Sequence, residues 1–583
     1  MPLILPAPLD FPTKHLPLTE DFQYVGQDER SYKDRLELSH RRAKAIVKAH
    51  NPQINDILFC SEKFWNAHID PINTFDGAAV GLWTLQVNLA GGTLAAFIPS
   101  RPDLARLWKK VSNFEVSIHF LLTELGHGLD ARSLETTAKY IPGKGFDLHT
   151  PNENAAKFMP ASLPAGNMPR VAIVMAKLEI NGKNHGIRPF LVPFNDGNVM
   201  CTGITSRPLP TPLGNKPMGY CITSFDHVQL PLSALLGELE PTINPRIHFL
   251  SEIWRIGIGS VCLTSAVIPS LKVAAYITAQ YSRRRMISDP RGGMVPIISF
   301  RTQQAPILYA LVQAIVLEAF FKDIRQYFTD RSLDNITQRN AFSTIFKAIA
   351  IAHWRKTSMN LADRCGAQGL FQHNEIVALQ MDVRGVTIAE GDILVLSIRL
   401  ASELTLNRYQ VNPPKDPNSL LARHEGGLLE DMMKKLAQLK GRHRSEEFNK
   451  RLLGQSVPLV EAIGHRMAYE AAKAAGVDPL VLRLYEVEAL LQDMSWYSER
   501  GLATKETTLE AEEECITTLY GNLEQLLEHT GVKPYVFAPI VSEEGWKKFM
   551  GTLPVLQGNA SVNILDPVVE ASDKKSVVPK SKL

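Results

Sequence analysis

A chain of 583 residues is longer than one hydrophobic core serves, and 45% hydrophobic against 21% charged residues is ordinary globular composition, so several folded domains are expected. The net charge of +3 is carried without any basic block longer than Arg283-Arg284-Arg285 or Arg442-His443-Arg444, which excludes a nucleic-acid surface. Six cysteines stand far apart with no Cys-x-x-Cys pair, no apolar run reaches the ~20 residues of a membrane span, and Met1 to Pro17 lacks the basic start and apolar core of a secretory leader.

Residues 1 to 30 read as an extended arm, and Tyr32 to His50 as a charged helix with Leu36, Ala43, Ile46 and Val47 on one stripe. Phe75 to Ile98 is apolar around Gly91-Gly92, and Pro102 to Val111 starts a short amphipathic helix. In the stretch Thr123-Glu124-Leu125-Gly126-His127-Gly128, the two glycines mark a turn that a side chain would obstruct. His127 has no second histidine or carboxylate spaced to join it, so no metal is expected. The period then changes to that of strands at Arg170 to Leu178 and Ile187 to Pro193, with Asn181 to Gly186 as the turn.

From Ile253 the helical period returns, and Leu308, Leu311, Val312, Ile315, Ala319 and Phe320 form one core stripe. A glycine-broken turn, Cys365 to Leu370, is followed by Thr387-Ile388-Ala389-Glu390-Gly391-Asp392 and an aliphatic run. A carboxylate in that apolar company has its pKa raised toward that of a working base, and Gly391 leaves room for a ligand at the backbone. From this stretch alone the favoured reading is that Glu390 merely caps the helix that starts near Asp392. Asn407 to Gly427, with Pro413-Pro414-Lys415-Asp416-Pro417, reads as a linker. Beyond it, Leu480, Leu484, Val487, Leu491 and Met494, then Ile516, Leu519, Leu523, Leu526 and Leu527, recur at helical spacing. The polar tail ends in Ser581-Lys582-Leu583, the tripeptide read as a peroxisomal address.

These motifs, in this order and separation, resemble the acyl-CoA oxidases within the acyl-CoA dehydrogenase and oxidase superfamily. The resemblance runs from about Leu82 to the C-terminus and is closest at Ser117 to Tyr140. It implies a mainly α fold with a central β domain: an arm and helical domain over 1–122, a β-barrel-like domain over 123–245 and a helical bundle with the flavin site over 246–407. A linker over 408–427, an added helical domain over 428–550 and a tail over 551–583 would complete the chain.

The activity implied is α,β-desaturation of an acyl-CoA or related acyl thioester by a FAD enzyme, with Glu390 as catalytic base, and reoxidation by molecular oxygen to give hydrogen peroxide. Thr123, Gly128, Ser162, Arg285, Gln303, Gln304, Gly366 and Gly369 match the family's flavin contacts, and Ala389 and Gly391 its substrate contacts. A homodimer, an import receptor and peroxisomal localisation are implied as well. The chain departs from the family at Ser162, where oxidases have glycine, at Gln368, where they have histidine, at Ala389, where they have an aromatic residue, and at Arg301, where they have glutamine. The alternatives are an acyl-CoA dehydrogenase that passes electrons to a protein partner, a non-catalytic subunit, or a desaturase of an unusual acyl group admitted by the smaller residues.

Overall fold

Ser31 accepts the Asp34 amide and so starts helix α1 (Tyr32–His50), which ends where Asn51 turns left-handed at φ 45°. Leu36, Ala43, Ile46 and Val47 are all buried, as their spacing predicts. The structure is a computed structural model that describes residues 2–23, 30–214, 216–240, 244–329, 336–440, 442–443 and 445–561. The targeting tripeptide expected at Ser581-Lys582-Leu583 lies outside them. The apolar stretch after Phe75 folds as α2 (Gly77–Thr84), one π-helical turn (Leu85–Leu89) and α3 (Ala90–Phe97). Buried Gln86 locks that irregular turn: its Nε2 donates to the Val111 and Val116 carbonyls at 2.6 Å each, and its Oε1 accepts the Ile118 amide at 3.0 Å.

The strands that follow are β1 (Ser117–Leu121), β2 (Thr137–Ile141), β3 (Gly145–His149), β4 (Lys157–Phe158), β5 (Arg170–Ile180), β6 (Lys183–Asn195), β7 (Ile204–Pro208), β8 (Cys221–Phe225) and β9 (Val228–Leu230). β5 pairs in parallel with β1 and, further along, with β2, and antiparallel with β6; β3 and β9 continue the sheet, while β4, β8 and β7 form a smaller one. The β5–β6 turn is only Asn181-Gly182, both left-handed at φ 50° and 73°. The strands therefore run four residues into the stretch that the sequence reads as turn, because a left-handed Asn-Gly pair matches the twist of the strands it joins.

The helical half comprises α4 (Trp254–Ser265), α5 (Val267–Arg284), α6 (Arg301–Ile324), α7 (Ile336–Arg364), a 3₁₀ turn (Gly366–Leu370), α8 (Ile376–Ile388) and α9 (Ile393–Thr405). Trp254–Arg284 is long and apolar enough to cross a membrane by length and composition. Its apolar side chains, among them Ile258, Val261, Leu271 and Ile277, are buried in the protein core instead.

Helix α10 (Leu420–Gln438) begins inside the stretch read as linker, because Ser419 caps it by accepting the Ala422 amide. α11 (Ser456–Ala474), α12 (Pro479–Gln492), α13 (Lys505–Tyr520) and α14 (Leu523–His529) follow. Helix α11 lies against α6, α7 and α9, so the C-terminal helices share one core with the bundle. The N-terminal arm is pinned to them: the Leu3 amide and carbonyl pair with the Gln525 side chain at 2.8 Å each, and buried Thr13 bonds both Asp70 and Tyr535.

Candidate active site around Glu390

Glu390 stands in the connection between α8 and α9, and Asp392, not Glu390, caps α9: its carboxylate accepts the amides of Leu394 at 3.0 Å and Val395 at 3.3 Å. That settles the alternative that the sequence leaves open. Asp392→Ala should cost about 1 kcal/mol of stability, the usual cost of a lost cap, and a lowered thermal midpoint checks it.

With capping assigned to its neighbour, Glu390 is free to point inward. Its backbone is left-handed at φ 59°, unusual for a residue with a side chain, and Gly391 follows at φ 107°. The carboxyl group lies over Gly259 of α4: a β-carbon built there would stand 2.7 Å from Oε1 of Glu390 and 3.0 Å from Nδ2 of Asn88. Gly259 is therefore required by close approach, and Asn88, fully buried in the π-helical turn, is the polar neighbour of the carboxylate. Asn88 is held by Arg255, whose Nη1 donates to its Oδ1 at 3.3 Å. Burial pushes the Glu390 carboxyl up to about 8, against the opposing charge of Lys347. Lys347, a buried residue of α7, donates to the carbonyls of Ala389 at 2.5 Å and Gly391 at 2.7 Å. Burial in turn brings the Lys347 ammonium down to about 8.

Asn88, Gly259 and Lys347 were not read from the sequence. Lys347 alone carried a signal there, as a lysine inside the apolar run Ile345 to Ile351; nothing distinguishes Asn88 or Gly259 before the chain is folded.

The expected flavin contacts fall in two other places. Thr123, just past β1, is exposed, and a β-carbon on Gly128 would meet open space. Nearby Ser162 is buried, with its hydroxyl 3.2 Å from that of Thr223 and its carbonyl accepting from Asn195. The third group gathers where α5 ends and α6 begins. Arg285 is exposed with no side-chain partner among the described residues, Gln303 accepts from Ser282 at 3.3 Å, and buried Gln304 spends its amide on the Ile298 and Ser299 carbonyls. The turn Gly366–Leu370 belongs to this group: Tyr281 is within electrostatic reach of both Arg285 and Cys365, and the Cys365 thiol lies 3.7 Å from the Thr278 hydroxyl. Gly366 is left-handed at φ 57° over open space, while a β-carbon at Gly369 would stand 2.1 Å from the Ala362 carbonyl oxygen.

Glu390 rests on Gly259 and the glycine turn on Thr278, 19 residues further along the α4–α5 rod. At the helical rise that is on the order of 30 Å of helix, so the base and the arginine group stand at different levels of α4 and α5. Apart from these, His149, Asp226 and His227 bring ligating atoms within 4.8 Å of one another on the outer edge of the sheet, where Nδ1 of His227 is bound to Asp147 at 2.9 Å.

The family model described as acyl-CoA oxidase, C-alpha1 domain, matches residues 259–405, the segment from Gly259 through Glu390 to the end of α9. Acyl-coenzyme A oxidase 3, peroxisomal, of Arabidopsis thaliana is 25% identical over 480 residues, covering 74% of this chain and 69% of that protein. The crystal structure of acyl-CoA oxidase1 from Yarrowia lipolytica superposes with a TM-score of 0.80 at 15% identity, over 98% of this chain and 94% of the other. Acyl-CoA oxidase-2 of Caenorhabditis elegans, solved bound with FAD, ascaroside-CoA and ATP, superposes at 0.74 with 16% identity over 93% and 89%. The layout of helices around a central sheet is thus that of the oxidases, and the segment 259–405 matches the acyl-CoA oxidase C-alpha1 domain.

Proposed function

We propose that the protein is an oxidoreductase acting on acyl-CoA, and more narrowly a FAD-dependent oxidase that introduces an α,β double bond into an acyl thioester. The observation that carries this reading is the Glu390 carboxyl, released from capping by Asp392 and turned into a buried setting that raises its proton affinity. A carboxylate so placed takes the α-proton of a thioester bound across the Ala389–Gly391 turn, where Gly391 lets the ligand approach the backbone. FAD, when bound, would accept the hydride from the β-carbon, and molecular oxygen would reoxidise it with formation of hydrogen peroxide. Among relatives the compartment is the peroxisome by name, and the peroxisome is where this chain belongs.

The residues present fit a bound dinucleotide at two edges. Exposed Thr123 and the open space at Gly128 suit the flavin end, and Arg285, exposed and without a side-chain partner among the described residues, suits a diphosphate, to which a guanidinium donates paired hydrogen bonds. Ser162 faces Thr223 and would act on the loop that carries it. The separation of these groups along the α4–α5 rod favours a homodimer in which Arg285 and Gly366 of one protomer complete the site of the other. Exposed Met286, Ile287, Met294, Phe300, Leu370 and Phe371 flank that arginine and supply an apolar surface for a second copy to cover.

Anaerobic mixing with a panel of acyl-CoAs, while flavin absorbance is followed, tests the function; no bleaching with any member would count against it, as would a protein that takes up no FAD. Arg285→Ala should weaken FAD binding by about 1.5–3 kcal/mol, the usual worth of a hydrogen bond to a charged group, read as a raised dissociation constant in a flavin titration.

A further inference from the structure

We propose that Lys347 is the positioning residue of the active site: by donating to the carbonyls on both sides of Glu390, it fixes the left-handed turn that aims the carboxyl group at the substrate. This rests on the reading of Glu390 as the base. The turn needs such a device. A residue with a side chain pays about 1–2 kcal/mol to adopt the left-handed region, and Glu390 does so at φ 59° directly before Gly391, itself at φ 107°. Released, the four-residue connection would relax toward ordinary backbone and swing the carboxyl off Gly259.

The ammonium of Lys347 opposes that relaxation with two charge-assisted hydrogen bonds, 2.5 Å to the Ala389 carbonyl and 2.7 Å to that of Gly391. It reaches them from the middle of α7, a 29-residue helix sunk in the core, so the anchor itself cannot drift. The choice of lysine also has an electrostatic consequence. Its nitrogen makes no ion pair with the Glu390 carboxylate within 4 Å, so the base is not tied up, yet its positive charge lies close enough to favour ionisation. The other groups that face the carboxyl cannot do this: Asn88 from the π-helical turn is neutral, and the Cys262 thiol of α4 is held protonated by burial. Asp392 acts on Lys347 from the same loop.

Two substitutions separate the parts. Lys347→Met removes both donors and the charge; Lys347→Gln keeps an amide that can donate to the carbonyls but is neutral. With FAD content and circular dichroism as controls for folding, Lys347→Met should reduce flavin about 10²-fold more slowly under anaerobic single turnover, the scale of a group misplaced by about 1 Å, with acyl-CoA affinity changed far less. Lys347→Gln should recover most of that rate at high pH while the acid limb of its pH profile moves to higher pH. An independent readout is the carboxylic-acid infrared band of Glu390, identified by its loss in Glu390→Gln, which should titrate at higher pH in both lysine variants. Parental rate and an unmoved band in either folded lysine variant would overturn the proposal. If Lys347→Met does not fold, the Gln variant decides by the same two measurements. If Glu390→Gln itself reduces flavin at the parental rate, it is the assignment of the base that fails, whatever the lysine variants do.

Discussion

Glu390→Gln should bind FAD and acyl-CoA as the parent does and reduce the flavin about 10²- to 10⁴-fold more slowly, the typical loss when a positioned general base is removed. Glutamine keeps the length and shape of the side chain, so the approach to Gly259 is preserved and only the proton acceptor is lost. The pH dependence carries the same signature. Because burial lifts the carboxyl to about 8, the base form grows as pH rises through that value, and kcat/KM of the parent should climb with pH across the same window. Stability moves the other way. The folded state binds the Glu390 proton more tightly than the unfolded chain, whose carboxyl titrates near 4.5, so its contribution is fully present below pH 4.5 and is lost as pH rises through about 8. Glu390→Gln should therefore melt no lower than the parent at pH 8 and above, and the gap should narrow toward acid pH. A fall in stability with unchanged turnover would instead mark a structural carboxylate.

The second large effect is expected on stability, at Lys157. Its ammonium is fully buried and donates to Glu124 at 2.9 Å and to the Met175 and Leu122 carbonyls at 2.7 and 3.1 Å. Glu124 is equally buried and accepts the Glu135 and Thr136 amides. Lys157→Met would leave that carboxylate charged in the interior without its counter-ion, a change that typically costs about 3–5 kcal/mol. Denaturant unfolding should show the loss, and Lys157→Met with Glu124→Gln should recover part of it, since the uncompensated charge is then gone while an oxygen still accepts a backbone amide. Glu124 directly follows Thr123, so the single variant should lose FAD as well. Unchanged stability in the single variant would mean that the pair is dispensable to the β layer.

Helices α1, α6 and α12 were legible in the sequence because each carries its own stripe of apolar residues, and a stripe states both the helix and the face it buries. The paired strands β5 and β6 were legible for the corresponding reason, alternation broken by a left-handed Asn-Gly. The glycine-flanked Glu390 was also visible, although its neighbours left two duties open for it.

What the sequence could not decide was everything that depends on residues meeting across the chain. Whether Glu390 or Asp392 caps α9 turns on backbone direction at two residues separated by Gly391, which both could have served by type. Asn88, Gly259, Lys347 and Glu390 come from four separate elements, and no periodicity records a contact between positions so far apart. The distance between the base and the arginine group likewise appears only once α4 and α5 are laid end to end. Local patterns are written in the chemistry of consecutive residues; the site is written in the packing of helices, and packing exists only in three dimensions.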